Sequence, residues 1–451
     1  MNAEERVDAI VIGSGQGGVP FAVAMAKRGK SVVLFERGPL GGTCVNNGCT
    51  PSKALLGAAH AAGRARRAQA LGIHATLEVD APFVFARTRK IRDEFRSGVE
   101  RRLTKAGVRV VRAEARFVGR RRVSGGGTLV EAPLVLIDSG NLAVVPSIPG
   151  LAGTPYLTNA DVFDLERLPR RLLALGGGYI GLELGQGFAR LGSRVRIIDR
   201  NPRVLVREEA DVAETLQRSL AADGVELSLN AEVVRVDYDG GEFSLTLKDG
   251  AVFRGDALLV AIGRKTKASS LDLPAGGVEL DAQGNIRIDE RLRTTCEGVY
   301  AIGDAAGQPP FTHVSWEDYR RLVAILDGEG RTRGDRVLAY AVFTEPQVGR
   351  VGLTLEDARR RGLRARAATL PYAQIARGIE WGLEEGFARI VIDEESERII
   401  GATMVGYEAA ELIHVFLAHM EAGSTWRVLD RSVHVHPTLA EGLPSLARLL
   451  A

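Results

Sequence analysis

Apolar residues in this chain fall into short unbroken runs and four-residue periodicities, and the two alternate. Residues 7–12, VDAIVI, form the first run; Phe21, Ala22 and Met25 follow at helical spacing, and Ser31–Phe35 is a second run. The same order returns with residues 171–175 (RLLAL), a helix beyond Tyr179, and Arg194–Ile198. Apolar runs alternating with amphipathic helices predict parallel strands covered by helices. Residues 108–118 and 128–137 read as β-rich around a turn at Ser124–Gly127, and 231–247 as a hairpin around Asp239-Gly240-Gly241. Ala257–Ile262 and Val299–Ile302 read as further buried strands, and from about Val337 strands alternate with two or three helices. Ile91, Phe95, Val99 and Leu103 repeat every four residues, which predicts a helix with one buried stripe and a solvated basic face.

Composition narrows the class. At 451 residues the chain exceeds a single core, so two to four domains are expected. Apolar residues make up 45% and charged residues 25%, an ordinary globular balance. The opening MNAEERVD has no apolar leader, and no apolar stretch is long enough to span a bilayer, so a cytoplasmic protein without membrane contact is expected. Net charge is only +3, and the basic segment Arg87–Arg122 lacks aromatic interleaving, which argues against a nucleic-acid surface.

Two glycine fingerprints carry the first chemical signal. Gly13, Gly15 and Gly18 follow the first apolar run, and the second run ends in Glu36. Gly176, Gly178 and Gly181, with Tyr179 and Ile180 between, follow RLLAL, and the next run ends in Asp199. Such a strand–turn–helix unit lets a pyrophosphate approach the backbone, and the acid accepts from a ribose hydroxyl. Two units imply two nucleotides with electron transfer between them. Asp199 favours the unphosphorylated ribose of NAD(H), although Arg200 and Arg203 stand close enough in sequence to meet a 2′-phosphate.

The second signal is Gly41–Lys53, GGTCVNNGCTPSK, which holds Cys44 and Cys49, two of the three cysteines. A close pair in a cytosolic chain is catalytic, redox-active or metal-binding rather than structural. Zinc wants about four soft ligands and no second pair exists, so redox use is expected and no metal site. Cys296 has no partner in sequence and reads as a small buried residue. His436, with Glu441 five residues on, has the makings of a base fixed by a carboxylate; His434 is not assigned the same role.

Taken in order, GGTCVNNGCTPSK, the two fingerprints, AIGR at 261–264, AIGDAAG at 301–307 and HPTLAE at 436–441 resemble one family across nearly the whole chain. It is the class I pyridine nucleotide–disulfide oxidoreductases, flavoproteins that include dihydrolipoamide dehydrogenase, glutathione reductase and mercuric reductase. The resemblance implies two Rossmann-like nucleotide-binding domains plus an α+β dimerisation domain. Residues 1–150 and 269–335 would form the FAD domain, 151–268 the NAD(P) domain and 336–451 the dimer interface. It implies that Glu36 meets the FAD ribose, Asp304 beside Gly303 meets the ribityl chain, and Gly42 and Thr43 line the same site. Gly263 and the second fingerprint would serve the nicotinamide nucleotide, with Tyr179 covering its pocket. Cys49 would face the flavin, Cys44 would exchange with substrate, and Lys53 with Glu183 would support charge on the reduced flavin. His436 and Glu441 would serve the cysteines of the other subunit of a homodimer.

The implied activity is FAD-dependent NAD(P)H:disulfide oxidoreduction, with a lipoyl-type disulfide or dithiol as first expectation. The alternative acceptor is a mercuric or cupric ion, or a quinone; a non-catalytic flavin-binding subunit is a third reading. Three departures from the family pattern bear on these. Asp138 stands where the family has a small residue, the segment FTHVSWEDYR at 311–320 resembles a mercuric-reductase-like branch, and GLPSLARLLA at the end lacks the cysteine pair of mercuric reductases.

Overall fold

The computed structural model describes residues 5–266 and 268–451. Three of the six sheets among the described residues form its framework. In the first, Val299–Ala301, Leu134–Ile137, Ala9–Ile12, Val32–Phe35 and Arg109–Val111 lie side by side, all parallel. In the second, Glu226–Ser228, Arg194–Ile198, Arg171–Leu175 and Ala257–Val260 do the same. Every residue of Ala9–Ile12 and Val32–Phe35 is buried, as strands covered by helices on both faces require. The two nucleotide units are thus built alike, and the fold is α/β as the alternation predicts.

The third sheet is antiparallel: Ala339–Val342, Gln347–Gly352, Ile399–Gly406, Phe387–Asp393 and Ala365–Pro371. Helices Ala409–Glu421 and Gly442–Arg448 bury Ile413, Phe416, Leu443 and Leu446 in the core it shares. Among the described residues no helix is long and apolar enough to cross a membrane.

The third glycine of each fingerprint has the same steric cause. A Cβ on Gly18 would stand 2.3 Å from the carbonyl oxygen of Gly13, and one on Gly181 would stand 2.0 Å from that of Gly176. Each helix therefore starts directly against the turn that precedes it, which brings its first amides to the C-terminal edge of the sheet.

Helix Cys49–Arg67 joins the two units. It packs on Tyr179–Leu191, where a Cβ on Gly187 would sit 2.9 Å from Leu56 Cδ2. Arg190, 1% exposed, anchors the end of this contact by pairing with Asp223 at 2.7 Å and with Glu345. Arg67 reaches the same two carboxylates, at 3.3 and 2.6 Å.

Two expected β-rich segments are each divided between sheets, and the basic helix departs from its expected stripe. The run 128–137 is two strands, Thr128–Glu131 and Leu134–Ile137, in different sheets, because Pro133 has no N–H to continue a ladder. Residues 108–118 divide likewise between Arg109–Val111 and Arg116–Gly119. The basic helix spans Ala81–Lys105, capped by Asp80 accepting from Phe83 N–H at 2.9 Å. Its stripe is buried only at Val99 and Leu103; Phe95 is 56% exposed, while its neighbours Arg92 and Arg96 turn to Asp164 and Asn46.

Candidate active site

The first glycine turn is held by the acid that ends the second strand. Glu36 accepts from Ser14 N–H at 2.9 Å, Ser14 Oγ–H at 2.7 Å and Gly38 N–H at 2.8 Å. Gly13 takes φ +103°, and its Cβ position lies 2.2 Å from the Asp138 carbonyl oxygen, so no larger residue fits. The second turn repeats the device: Asp199 accepts from Gly177 N–H at 2.5 Å and from Asn201 N–H and Nδ2–H, both at 2.8 Å.

A cavity of about 1320 Å³ runs from Glu36 past Gly15 to Cys49, Lys53 and Tyr179. Gly42, Thr43, Cys44 and Asp304 also line it. Gly18 and Gly303 stand behind its wall, where Gly303 N–H donates to buried Asp318 at 2.9 Å. Of the second fingerprint only Tyr179 and Ile180 reach this cavity, which places Gly176, Gly178, Gly181, Asp199 and Gly263 outside its lining.

Both cysteines are free thiols at adjoining helix ends. Cys44 lies in Gly42–Asn47, and Cys49 is the first residue of Cys49–Arg67, where the helix start favours a thiolate. Cys49 Sγ is 3.1 Å from Thr312 Oγ1. Its thiol is pushed down to about 6, first by the hydrogen bond from Cys44 and then by Thr312 and the Lys53 charge, against the opposing effect of burial. Cys44 moves the other way, held up by its bond to Cys49 and by burial. One sulfur is thus set to be thiolate near neutrality while its neighbour keeps its proton.

Lys53 stands one helical turn beyond Cys49, on the same face. Its Nζ donates to Glu183 Oε2 at 2.8 Å and sits 4.4 Å above the Phe343 ring. Glu183 is buried, and its other oxygen accepts from Phe343 N–H at 2.9 Å. The ion pair therefore ties a helix of the first unit to one of the second and to the antiparallel sheet.

Around Tyr179, aromatic rings form a wall. Phe311 lies 6.3 Å from Tyr179 and stacks on His313 at 5.5 Å and on Tyr340 at 5.1 Å. Tyr340 O–H donates to Glu208 Oε1 at 2.5 Å. Arg264 pairs with Asp304 at 3.3 Å, and burial raises the Asp304 carboxyl above the usual range.

His436 and Glu441 are together but apart from this cavity. His436 Nδ1 meets Glu441 Oε2 at 2.7 Å, and the imidazole side chain is 73% exposed. Val433 and Val435 beside it are 97% and 75% exposed. His434 is engaged locally, with Ala440 O at 2.7 Å and Ser432 Oγ at 3.0 Å. Cys296 is buried in the core of the first unit.

The residue that sequence reasoning missed is Thr312. It lies in FTHVSWEDYR, but nothing in its spacing points to a sulfur 263 positions away. Arg264 was visible as the last letter of AIGR, without its partner. Replacing Thr312 with Val removes one hydrogen bond to a charged sulfur, a contribution of about 1.5–3 kcal/mol in favourable geometry. The Cys49 thiolate of the reduced protein should then titrate about one pH unit higher or more. The pH profile of alkylation by iodoacetamide reads this, and an unchanged profile would contradict it.

The arrangement fits a dinucleotide along the cavity. Among the described residues no acceptor meets the N–H of Gly15 or Gln16, which lie at a helix start where phosphate oxygens bind. Glu36 stands at one end, where it could meet a ribose, and the cysteines with Lys53 stand at the other, so the lining fits FAD. Comparison with known proteins agrees. The pyridine nucleotide-disulphide oxidoreductase pattern matches residues 7–318, and the dimerisation domain of the same proteins matches 338–447. Dihydrolipoyl dehydrogenase of Haloferax volcanii is 33% identical over 97% of this chain and 95% of its own length. Mercuric reductase of Bacillus cereus is 31% identical over 97% of this chain and 70% of its own length. A Cu(II) complex of the HOCl-induced flavoprotein disulfide reductase RclA from Escherichia coli superposes with a TM-score of 0.90, at 31% identity and full coverage of both chains. The chain belongs to the pyridine nucleotide–disulphide oxidoreductase family and is an FAD-dependent NAD(P)H disulfide oxidoreductase with a dimerisation domain.

Proposed function

We propose that the protein reduces, or reversibly oxidises, a small disulfide or dithiol of lipoyl type through the Cys44–Cys49 pair, with NADH as the preferred nucleotide. The observation that carries the reading is the single cavity that holds Glu36, both cysteines, Lys53 and Tyr179. Residues 1–150 and 269–335 hold FAD, 151–268 the nicotinamide nucleotide, and 336–451 pair the subunits. When bound, FAD relays two electrons from the nicotinamide to the cysteine pair. The net reaction consumes NADH, one proton and a disulfide, and yields NAD+ and two thiols.

The chain's own groups divide the remaining work. Gly13, Gly15, Gly18, Gly42, Thr43, Gly303 and Asp304 shape or line the FAD site. Cys49 is the inner sulfur, kept as thiolate by Cys44, Thr312 and Lys53. Cys44 is the outer sulfur, and because its proton is held tightly, attack on a substrate disulfide needs a base. His436, oriented by Glu441, is that base, acting on the cysteines of the other subunit. Its exposure and its distance from the cavity of its own chain support the crossing, as does the dimerisation pattern over 338–447. Tyr179 covers the nicotinamide side, while Gly176, Gly178, Ile180, Gly181, Asp199 and Gly263 form the second nucleotide site.

NADH is favoured by Asp199; of the two nearby arginines, Arg203 folds back onto the carbonyls of Val206 and Glu208, both at 3.3 Å, while Arg200 stays exposed. Asp199 is the acid at the strand end, which repels a 2′-phosphate. A second reading keeps the cofactors and replaces the disulfide with a metal ion. It is supported by the mercuric reductase and Cu(II)–RclA resemblances and by the FTHVSWEDYR segment.

An acceptor screen with NADH and NADPH side by side separates these readings. Lipoamide turnover should exceed that with glutathione disulfide, mercuric or cupric ions and a quinone, and kcat/KM should favour NADH at least tenfold. Turnover confined to metal ions and lost in Cys44→Ala would favour the second reading. Crossing of the active site has its own test. Dimers mixed from Cys44→Ser and His436→Ala chains should regain about a quarter of parental activity, since half the dimers form and each holds one intact site. No recovery above the separate variants would place His436 in its own subunit's site.

A further inference from the structure

Asp138 directly follows the strand Leu134–Ile137 of the first sheet, and its carboxylate lies against the turn of the first fingerprint. Its Oδ2 accepts from Gly18 N–H at 2.7 Å and Gly17 N–H at 3.3 Å, and its Oδ1 accepts from Ser315 Oγ–H at 3.2 Å. The carboxylate also stands over the turn, where a Cβ on Gly15 would lie 2.5 Å from Oδ2. Both residues line the cavity. The positive end of helix Gly18–Lys27 is thus already met by a carboxylate of its own chain, and a pyrophosphate bound at the same turn would be repelled by it.

Among the described residues the surrounding groups offer Asp138 no compensating cation. From the second strand, Glu36 turns to Ser14 and Gly38. From the 303–306 turn, Asp304 adds a second negative charge, shared with Arg264. From helix Thr312–Leu326 come Ser315 and Asp318, the latter turned to Gly303 N–H and Arg336. Among the described residues no lysine, arginine or histidine pairs with Asp138.

We propose that Asp138 is the neutral acid whenever FAD is held at this helix start, so that FAD binding to the apoprotein takes up one proton. The inference rests on FAD occupying the first fingerprint. The protonated form is satisfied in the same geometry: Oδ1–H donates to Ser315 Oγ while Oδ2 continues to accept from Gly18 N–H. Burial already pushes the carboxyl up to about 7, against the opposing bonds from Gly18 and Ser315. The pyrophosphate charge raises it further. The sign follows: a group protonated in the complex and ionised in the free protein favours binding at low pH, and the gain is lost as pH rises above the free protein's value.

Titration of FAD into the full-length apoprotein between pH 6 and 9, followed by flavin fluorescence and by calorimetry in two buffers of different ionisation heat, reads both consequences. The Kd should rise about tenfold per pH unit above about 7, with close to one proton taken up at pH 8. Asp138→Asn keeps the shape and an N–H for Ser315, and its Kd should be flat over that range with no proton uptake. A flat Kd in the parent protein, or the parental slope persisting in Asp138→Asn, would overturn the proposal. If the variant does not fold, zero proton uptake by the parent at pH 8 overturns it by itself. Absence of FAD binding at every pH would overturn the flavin reading as well, which distinguishes the two failures.

Discussion

The Lys53–Glu183 ion pair is the contact on which the rest of the site depends. Glu183 is 4% exposed and is satisfied by one cation and one backbone N–H, from Lys53 and Phe343. A buried carboxylate stripped of its cation is strongly destabilised, so the three elements that meet here are held in one relative position. The arginine cluster at the far end of the same helix pair repeats the principle with Arg190 between Asp223 and Glu345. Cys49 and Lys53 belong to one rigid helix. Fixing Lys53 against the second nucleotide unit therefore fixes the sulfur relative to both sites.

Charge is then distributed by local geometry rather than by net composition. The Cys44 hydrogen bond, the Thr312 hydroxyl and the Lys53 ammonium converge on Cys49 at a helix start and favour its thiolate, while the Cys44 thiol is held up. At the first fingerprint the same kind of helix start meets a carboxylate of its own chain, which links cofactor binding to a proton. The two helix starts have opposite tasks. One favours an anion that does chemistry; the other must accept an external anion beside an internal one.

Much of this was legible in the sequence because it is local. The two strand–turn–helix units are contiguous stretches in which glycine spacing, apolar runs and the terminal acids Glu36 and Asp199 report the same geometry. The cysteine pair and Lys53 share the one stretch Gly41–Lys53, and His436 and Glu441 lie five residues apart, so each cluster could be read without the fold. What was not legible depends on long-range contacts. Thr312 approaches Cys49, and Asp138 reaches Gly18, only after the parallel sheet has formed. Asp138 was visible as an unusual residue near the FAD path, but its partners were not. The expected buried stripe of the Ala81–Lys105 helix failed at Phe95 because periodicity gives an apolar face without saying what covers it. The strand breaks near Pro133 likewise follow from ladder chemistry at one residue within an otherwise continuous apolar run.

The central claim is that electrons pass through FAD to a Cys44–Cys49 pair whose inner sulfur becomes a thiolate. Anaerobic titration of the flavin-loaded protein with NADH tests it most directly. Uptake of two electrons should produce a long-wavelength absorbance band from the Cys49 thiolate against oxidised flavin, present above pH 6 or so and absent in Cys49→Ser. Direct bleaching of the flavin without that band, or the band persisting in Cys49→Ser, would contradict the account.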